Sequence, residues 1–156
     1  MKIRILALGN KMPNWVTLVQ EEYLNRLPKE FSVELLELKP EVRTSGRTTE
    51  QILENEAKRI MQSLKRDHLT VVLDERGRSI STLQLASLIK DEEELGRSID
   101  FIIGSADGLH QSIKQLANLT ITLSPFTLPH GMVRAILCEQ LYRSYTILQG
   151  HPYHRE

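Results

Sequence analysis

LTVVLDERGRSISTLQLASLIKDEEELGRSIDFIIG, residues 69–104, holds the pattern on which the fold turns. It opens on LTVVLD (69–74), a near-continuous apolar run rich in β-branched residues, which suits a strand covered on both faces, as in parallel sheets. ERGRS (75–79) reads as the loop behind it. Ser81 with Gln84 then forms a capping box, in which each side chain satisfies an orphan amide of the first turn, and opens a helix through Leu95. SIDFIIG (98–104) is a second buried strand, stopped by glycine. Strand, helix and strand in this order imply parallel pairing.

The same alternation extends both ways. Upstream, IRILALG (3–9) is a buried strand ending in glycine. NWVTLVQEEYLNRL (14–27) carries apolar residues at helical spacing, namely Trp15, Leu18, Val19, Tyr23, Leu24 and Leu27, and Pro28 ends it. FSVELLEL (31–38) alternates as a half-exposed strand, and KPEVRTSGR (39–47) is polar enough to be a mobile loop. Thr48 with Gln51 is another capping box, followed by a stripe of Ile52, Leu53, Ala57, Ile60, Met61 and Leu64. Downstream come a short helix over about 110–118, a strand at LTITLS (119–124), and a long helix over about 129–149. The order βαβαβαβαβα predicts an α/β fold, a parallel sheet flanked by helices. At 156 residues, with no repeat or low-complexity segment, the chain reads as a single domain, 1–156.

Composition narrows the function classes. Lys plus Arg balance Asp plus Glu at 20 each, so no global basic field advertises nucleic acid, although a local patch is enough for one. The lone Cys138 excludes an intramolecular disulfide and, lying inside a helical pattern, reads as a small buried hydrophobe. MKIRILALGN is too short and too soon interrupted for a signal peptide, and no apolar run reaches membrane-spanning length. A cytoplasmic location is the default expectation. His151 and His154 lack a carboxylate or cysteine at a metal-ligand spacing, so no metal is expected.

In open α/β sheets ligands bind beyond the carboxyl ends of the strands. Three ends therefore matter: Leu73-Asp74, IIGSADG (102–108) and TLSPFTLPHG (122–131). Gly104 and Gly108 allow a sharp turn and close backbone approach, but neither a dinucleotide fingerprint nor a P-loop is present. A plain tight turn fits them as well as a ligand loop does. The third end carries Pro125 and Pro129, which stiffen a loop whose Leu123, Phe126 and Leu128 can line a pocket. Glu139 and Arg143 stand one helical turn apart, in the favourable order for a surface ion pair.

KMPNWV (11–16), LD (73–74), IIGSADGL (102–109), TLSPFTLPHGMVR (122–134), EQLYRSY (139–145) and the terminal HPYHRE (151–156) together resemble the large-subunit ribosomal RNA methyltransferase H family along the whole chain. This is the small single-domain branch of the SPOUT methyltransferases. The resemblance implies a C-terminal trefoil knot, a homodimer, and S-adenosylmethionine held by Leu73, Gly104, Leu123, Ser124, Pro125, Phe126, Thr127 and Leu128. It further implies methylation of N3 of a pseudouridine in 23S rRNA within the assembled 70S ribosome. The family usually has glycine at Ser105 and asparagine at Gly150.

For such a transfer the candidate bases are His154 and Glu139. Arg143 and Arg155 would steady negative charge on the base or hold phosphate, and Tyr153 would stack on a base. Lys39, Arg43 and Arg47 form a candidate phosphate-contacting loop. A non-catalytic ribosome-binding factor on the same sheet is the rival expectation, since it would keep the basic loop and tail without a cofactor pocket.

Overall fold

A computed structural model describes residues 1–44 and 46–155; Ser45 in the expected loop and Glu156 in the tail lie outside the described residues. The elements follow the expected alternation: β1 Lys2–Leu8, α1 Asn14–Leu24, β2 Ser32–Leu38, α2 Thr49–Ser63, β3 His68–Ser79, α3 Thr82–Glu94, β4 Ser98–Ile103, α4 Gln111–Leu116, β5 Leu119–Thr122 and α5 His130–Leu148. All pairs in the five-stranded sheet are parallel, in the order β2-β1-β4-β3-β5.

Helices cover both faces. On one, Leu85 and Ile89 of α3 and Leu137, Cys138 and Leu141 of α5 pack on Ile3, Ile5, Val71, Ile99, Phe101 and Ile121. On the other, Ala57 and Ile60 of α2 and Ile113 of α4 pack on Leu8, Val72 and Ile102. Central strands are thus buried on both sides, which is why 69–74 and 98–103 read as apolar runs rather than alternations. Both capping boxes form: Thr48 with Gln51 opens α2, and Ser81 with Gln84 opens α3.

The structure departs from the sequence reading in four places. Residues 75–79 are not a loop but the continuation of β3, which pairs Arg78 and Ser79 with β5 after a shift in register. The continuation depends on Gly77, where an added Cβ would lie 2.4 Å from the backbone of Ile121. Charge at 75, 76 and 78 concealed the strand, because it extends past the layer of covering helices into solvent.

Helix α1 stops at Leu24, short of Pro28, and its buried side is set by Val16 and Gln20; Trp15 and Leu18 are exposed at 45% and 55%. Met61 likewise stands outside the buried stripe of α2. Finally, the segment expected to be mobile is anchored: Glu41 and Arg43 bond to the buried Glu56 of α2. Arg43 is paired with Glu56 and Arg47 with Glu41 at 2.6 Å.

Candidate active site

Residues 73–76 in the middle of β3 and the carboxyl ends of β4 and β5 border a cleft of about 840 Å³. This is within the size range of small-molecule and cofactor sites. Leu73, Ile103, Leu109, Leu123, Leu128 and Val133 provide apolar lining, and polar groups sit around them. Of the residues implied for the cofactor, Leu73, Gly104, Leu123, Ser124, Phe126, Thr127 and Leu128 line the cleft; Pro125 shapes the loop without lining it.

Each wall has a local cause. Gly108 takes φ +84°, a conformation natural to glycine, and its N–H donates to the Ser105 carbonyl at 2.9 Å, closing a tight turn. A Cβ on Gly104 would stand 2.6 Å from the Gly108 oxygen, so β4 and the turn touch backbone to backbone. Opposite, the loop after β5 is braced by its own hydroxyls. Thr122 Oγ1 donates to the Ser124 carbonyl at 2.8 Å, and the Phe126 N–H donates to Ser124 Oγ at 2.9 Å. Thr127 Oγ1 donates to Glu75 Oε2 at 3.2 Å and ties this loop to the β3 extension. Phe126 projects from the braced loop 81% exposed.

The charge of Asp74 is paired. Asp74 Oδ2 lies 3.0 Å from Lys114 Nζ, and Asp74 Oδ1 accepts the Arg76 N–H at 2.9 Å. Burial works against ionisation of Asp74, but these two donors outweigh it and hold the carboxyl below its ordinary pKa.

Two residues that sequence reasoning missed organise the floor. His130 Nδ1 is 2.6 Å from the Gly104 carbonyl, and Arg134 Nε donates to His130 Nε2 at 2.8 Å. An Nε2 that accepts leaves the proton on Nδ1, so the ring is a neutral Nδ1–H donor to Gly104. Burial, then the charge of Arg134, lowers the His130 pKa and favours that form. Arg134 is itself fully buried and also donates to Glu37 Oε2 at 2.7 Å and to the Gly9 carbonyl at 2.5 Å. The available signal was PHGMVR (129–134), a histidine and an arginine one turn apart at the start of a helix that otherwise faces the core.

The residues proposed for catalysis form a separate cluster; Glu139, Arg143, Tyr153, His154 and Arg155 do not line the cleft. Gly150 takes φ +64° after α5, with the Gly150 N–H on Ile147 O and the His151 N–H on Thr146 O. These bonds make a Schellman motif, which turns the chain back. Asparagine also tolerates that conformation, so the exchange at 150 keeps the turn. Tyr153 then lies along α5. Its hydroxyl donates to Glu139 Oε1 at 3.1 Å, its ring meets Tyr142 edge-on at 4.8 Å, and the Arg143 guanidinium sits 4.9 Å over it. Glu139 Oε1 also accepts from Arg143 Nε at 2.8 Å, and Oε2 from Gln140 Nε2 at 2.7 Å. His154 Nδ1 is buried with no hydrogen-bond partner among the described residues. Arg155 is exposed and donates to the Pro152 carbonyl.

No helix among the described residues is long and apolar enough to cross a membrane, and none of their His, Cys, Asp and Glu side chains form a group suited to a metal ion.

Known proteins are similar to this chain. The profile of a family described as "Predicted SPOUT methyltransferase" matches residues 1–154. A ribosomal RNA large subunit methyltransferase H of Methylobacillus flagellatus is 49% identical over 156 residues, covering 100% of both chains. One of Nitrosomonas eutropha is 50% identical over 155 residues, covering 99% of each. Among solved structures, a probable methylase family protein from Haemophilus influenzae superposes with a TM-score of 0.58 at 12% identity, over 99% of this chain and 70% of that one, a likeness of fold alone. The chain belongs to the SPOUT methyltransferase family, in the same branch as these methyltransferase H relatives.

Proposed function

We propose that this protein is an rRNA methyltransferase that transfers the methyl of S-adenosylmethionine to N3 of a pseudouridine in 23S rRNA of the assembled ribosome. On this reading the whole chain is one catalytic domain that works as a cytoplasmic homodimer. The observation that carries it is the cleft between residues 73–76 of β3 and the ends of β4 and β5, in a chain that matches methyltransferase H relatives from end to end. Nothing in the structure favours a non-catalytic binding factor, which would have no use for a braced cleft of this size.

The residues present fit the cofactor. Gly104 removes the Cβ that would fill the wall, and Leu73, Leu123 and Leu128 offer apolar surface to a nucleoside. When bound, the cofactor supplies an electrophilic methyl group on a sulfonium. The chain's part is alignment and exclusion of water, since in-line transfer gains most from positioning. The neutral Nδ1–H of His130 holds the Gly104 carbonyl, and with it the wall.

In the tail cluster, Arg143 and Arg155 would meet the charge that develops on the base carbonyls or hold phosphate. Tyr153 supplies the aromatic surface for a base. For the N3 proton the candidates are His154, whose Nδ1 is buried and would have to be uncovered by substrate, and Glu139, whose two oxygens are already engaged. The exposed Trp15 and Leu18 on α1 and Met132 on α5 are apolar surface suited to a second copy. The tight crossing of 75–79 beside β5 at Gly77 supports reading the C-terminal part as knotted.

Mass spectrometry of 23S rRNA from a deletion strain tests the activity: one pseudouridine should lack its methyl, and an unchanged spectrum overturns the proposal. Methylation of purified 70S ribosomes should fall in Arg155→Ala and Tyr153→Ala proteins while cofactor affinity holds. Unchanged methylation in both would remove the tail from the mechanism.

A further inference from the structure

One buried carboxylate is used by neither the cleft nor the tail. Glu56 of α2 is 1% exposed, and its four hydrogen bonds among the described residues come from two loops. From residues 39–44 it accepts the Glu41 N–H at 3.0 Å and two Arg43 donors at 3.2 and 3.4 Å. From the turn that walls the cleft it accepts the Ser105 hydroxyl at 2.8 Å. Arg43 closes the circuit. Its Nη2 donates to Ser105 Oγ at 2.7 Å, its Nε to Asp107 Oδ2 at 3.2 Å and its Nη1 to the Glu41 carbonyl at 2.8 Å. Arg59 of α2 holds the other end, donating to the Lys39 carbonyl at 2.7 Å and to Glu41 Oε2 at 2.9 Å.

Ion pairs on open surface contribute little, but a buried, fully bonded carboxylate is different. Removal of one partner leaves a charge inside the protein without compensation. The Ser105 hydroxyl serves as donor to Glu56 and acceptor from Arg43.

We infer that Arg43 and Glu56 are positioning residues for the cofactor cleft. They hold the 104–108 turn in its binding shape and couple cofactor affinity to residues 39–44, none of which line the cleft. This rests on the reading of the cleft as the S-adenosylmethionine site. Loosening the lock leaves the turn with a larger set of conformations, and the fraction competent to bind falls accordingly.

Calorimetry with S-adenosylhomocysteine and hydrogen exchange on the full-length protein test it. Arg43→Gln should raise Kd about tenfold, the scale of ordinary coupling between sites, with kcat at saturating cofactor nearly unchanged. Arg43→Lys should recover little of that loss, because a lysine cannot make the fork of bonds. Ser105→Ala should show a smaller rise, and it carries the same prediction should Arg43→Gln not fold. In the wild-type protein, S-adenosylhomocysteine should slow amide exchange in 39–44 as well as in 104–108. Unchanged Kd in the variants, or protection confined to the cleft lining, would overturn the coupling while leaving the cofactor site intact. If the wild-type protein takes up no S-adenosylhomocysteine at all, the reading of the cleft falls, and the positioning role with it.

Discussion

His130 and Arg134 concentrate more structural consequence than any other pair of side chains near the cleft. Through them α5 reaches Gly9 after β1, Glu37 in β2 and Gly104 after β4, so the carboxyl ends of three strands share one network. Neither residue stood out in the sequence as part of a site. A buried arginine on a core-facing helix breaks the apolar pattern without saying what it binds, because its partners lie about a hundred residues away in the chain. The network has a pH signature. The folded-state pKa of His130 is depressed by burial and by Arg134, below the ordinary value of 6.5 that the unfolded chain retains. Above about pH 6.5 the ring is neutral in both states and its contribution is complete. As pH falls below that value the unfolded chain takes up a proton that the folded ring refuses, and stability is lost until the folded pKa is reached. Urea unfolding of wild type and His130→Gln should therefore show a gap in midpoint that is widest near neutral pH and narrows on acidification. A gap that widens on acidification would mean the ring is charged in the folded protein.

At the scale of elements, the β3 extension is what joins sheet to cleft. Residues 74–76 line one wall, 122–124 line the next, and the re-pairing of Arg78 and Ser79 with β5 fixes the two together. Gly77 permits it by contact rather than by conformation. Gly77→Ala should destabilise by about 1–3 kcal/mol, the usual range for overpacking, because the atoms it meets are backbone and have no rotamer to yield. Gly96→Ala is the matched control. It meets nothing within 4 Å but sits at φ +67°, so it should cost about 1–2 kcal/mol through backbone strain and leave cofactor affinity unchanged. Urea titration with calorimetry on each variant separates the cases: only the Gly77 change should also weaken cofactor binding. The contrast shows where sequence reading works. Capping boxes at Thr48 and Ser81 were legible because partner and cap are three residues apart. The strand-end loops were legible because parallel sheets place their ligands there. The extension at 75–79 was not, because what makes it a strand is β5, more than forty residues on, and its charged side chains meet solvent. Trp15 and Leu18 misled in the opposite sense, as apolar residues turned away from the core.

Over the whole molecule, the cleft and the tail cluster, proposed above as the two halves of the site, stand at different levels of one helix. Val133, in the first turn of α5, lines the cleft, and Glu139, which anchors Tyr153, stands six residues further along. That is about 9 Å of helix axis at 1.5 Å per residue. The Schellman turn at Gly150 does return the tail, but onto α5 beside Tyr142 and not into the cleft. Two-fold pairing would let one subunit's tail meet its partner's cleft, because a symmetric interface presents every contact twice. This predicts complementation. Gly104→Val should abolish cofactor binding, and the double change Tyr153→Ala with Arg155→Ala should abolish methylation, so each protein alone is inactive. In a one-to-one mixture refolded together, random pairing makes about half the dimers mixed. Each mixed dimer holds one intact cleft facing one intact tail, so methylation should return to about a quarter of the wild-type rate. A tail that served its own cleft would give no recovery, since neither chain carries both intact halves. Recovery near a quarter, measured on 70S ribosomes and absent when the two proteins are mixed without refolding, would assign the tail to the partner's site.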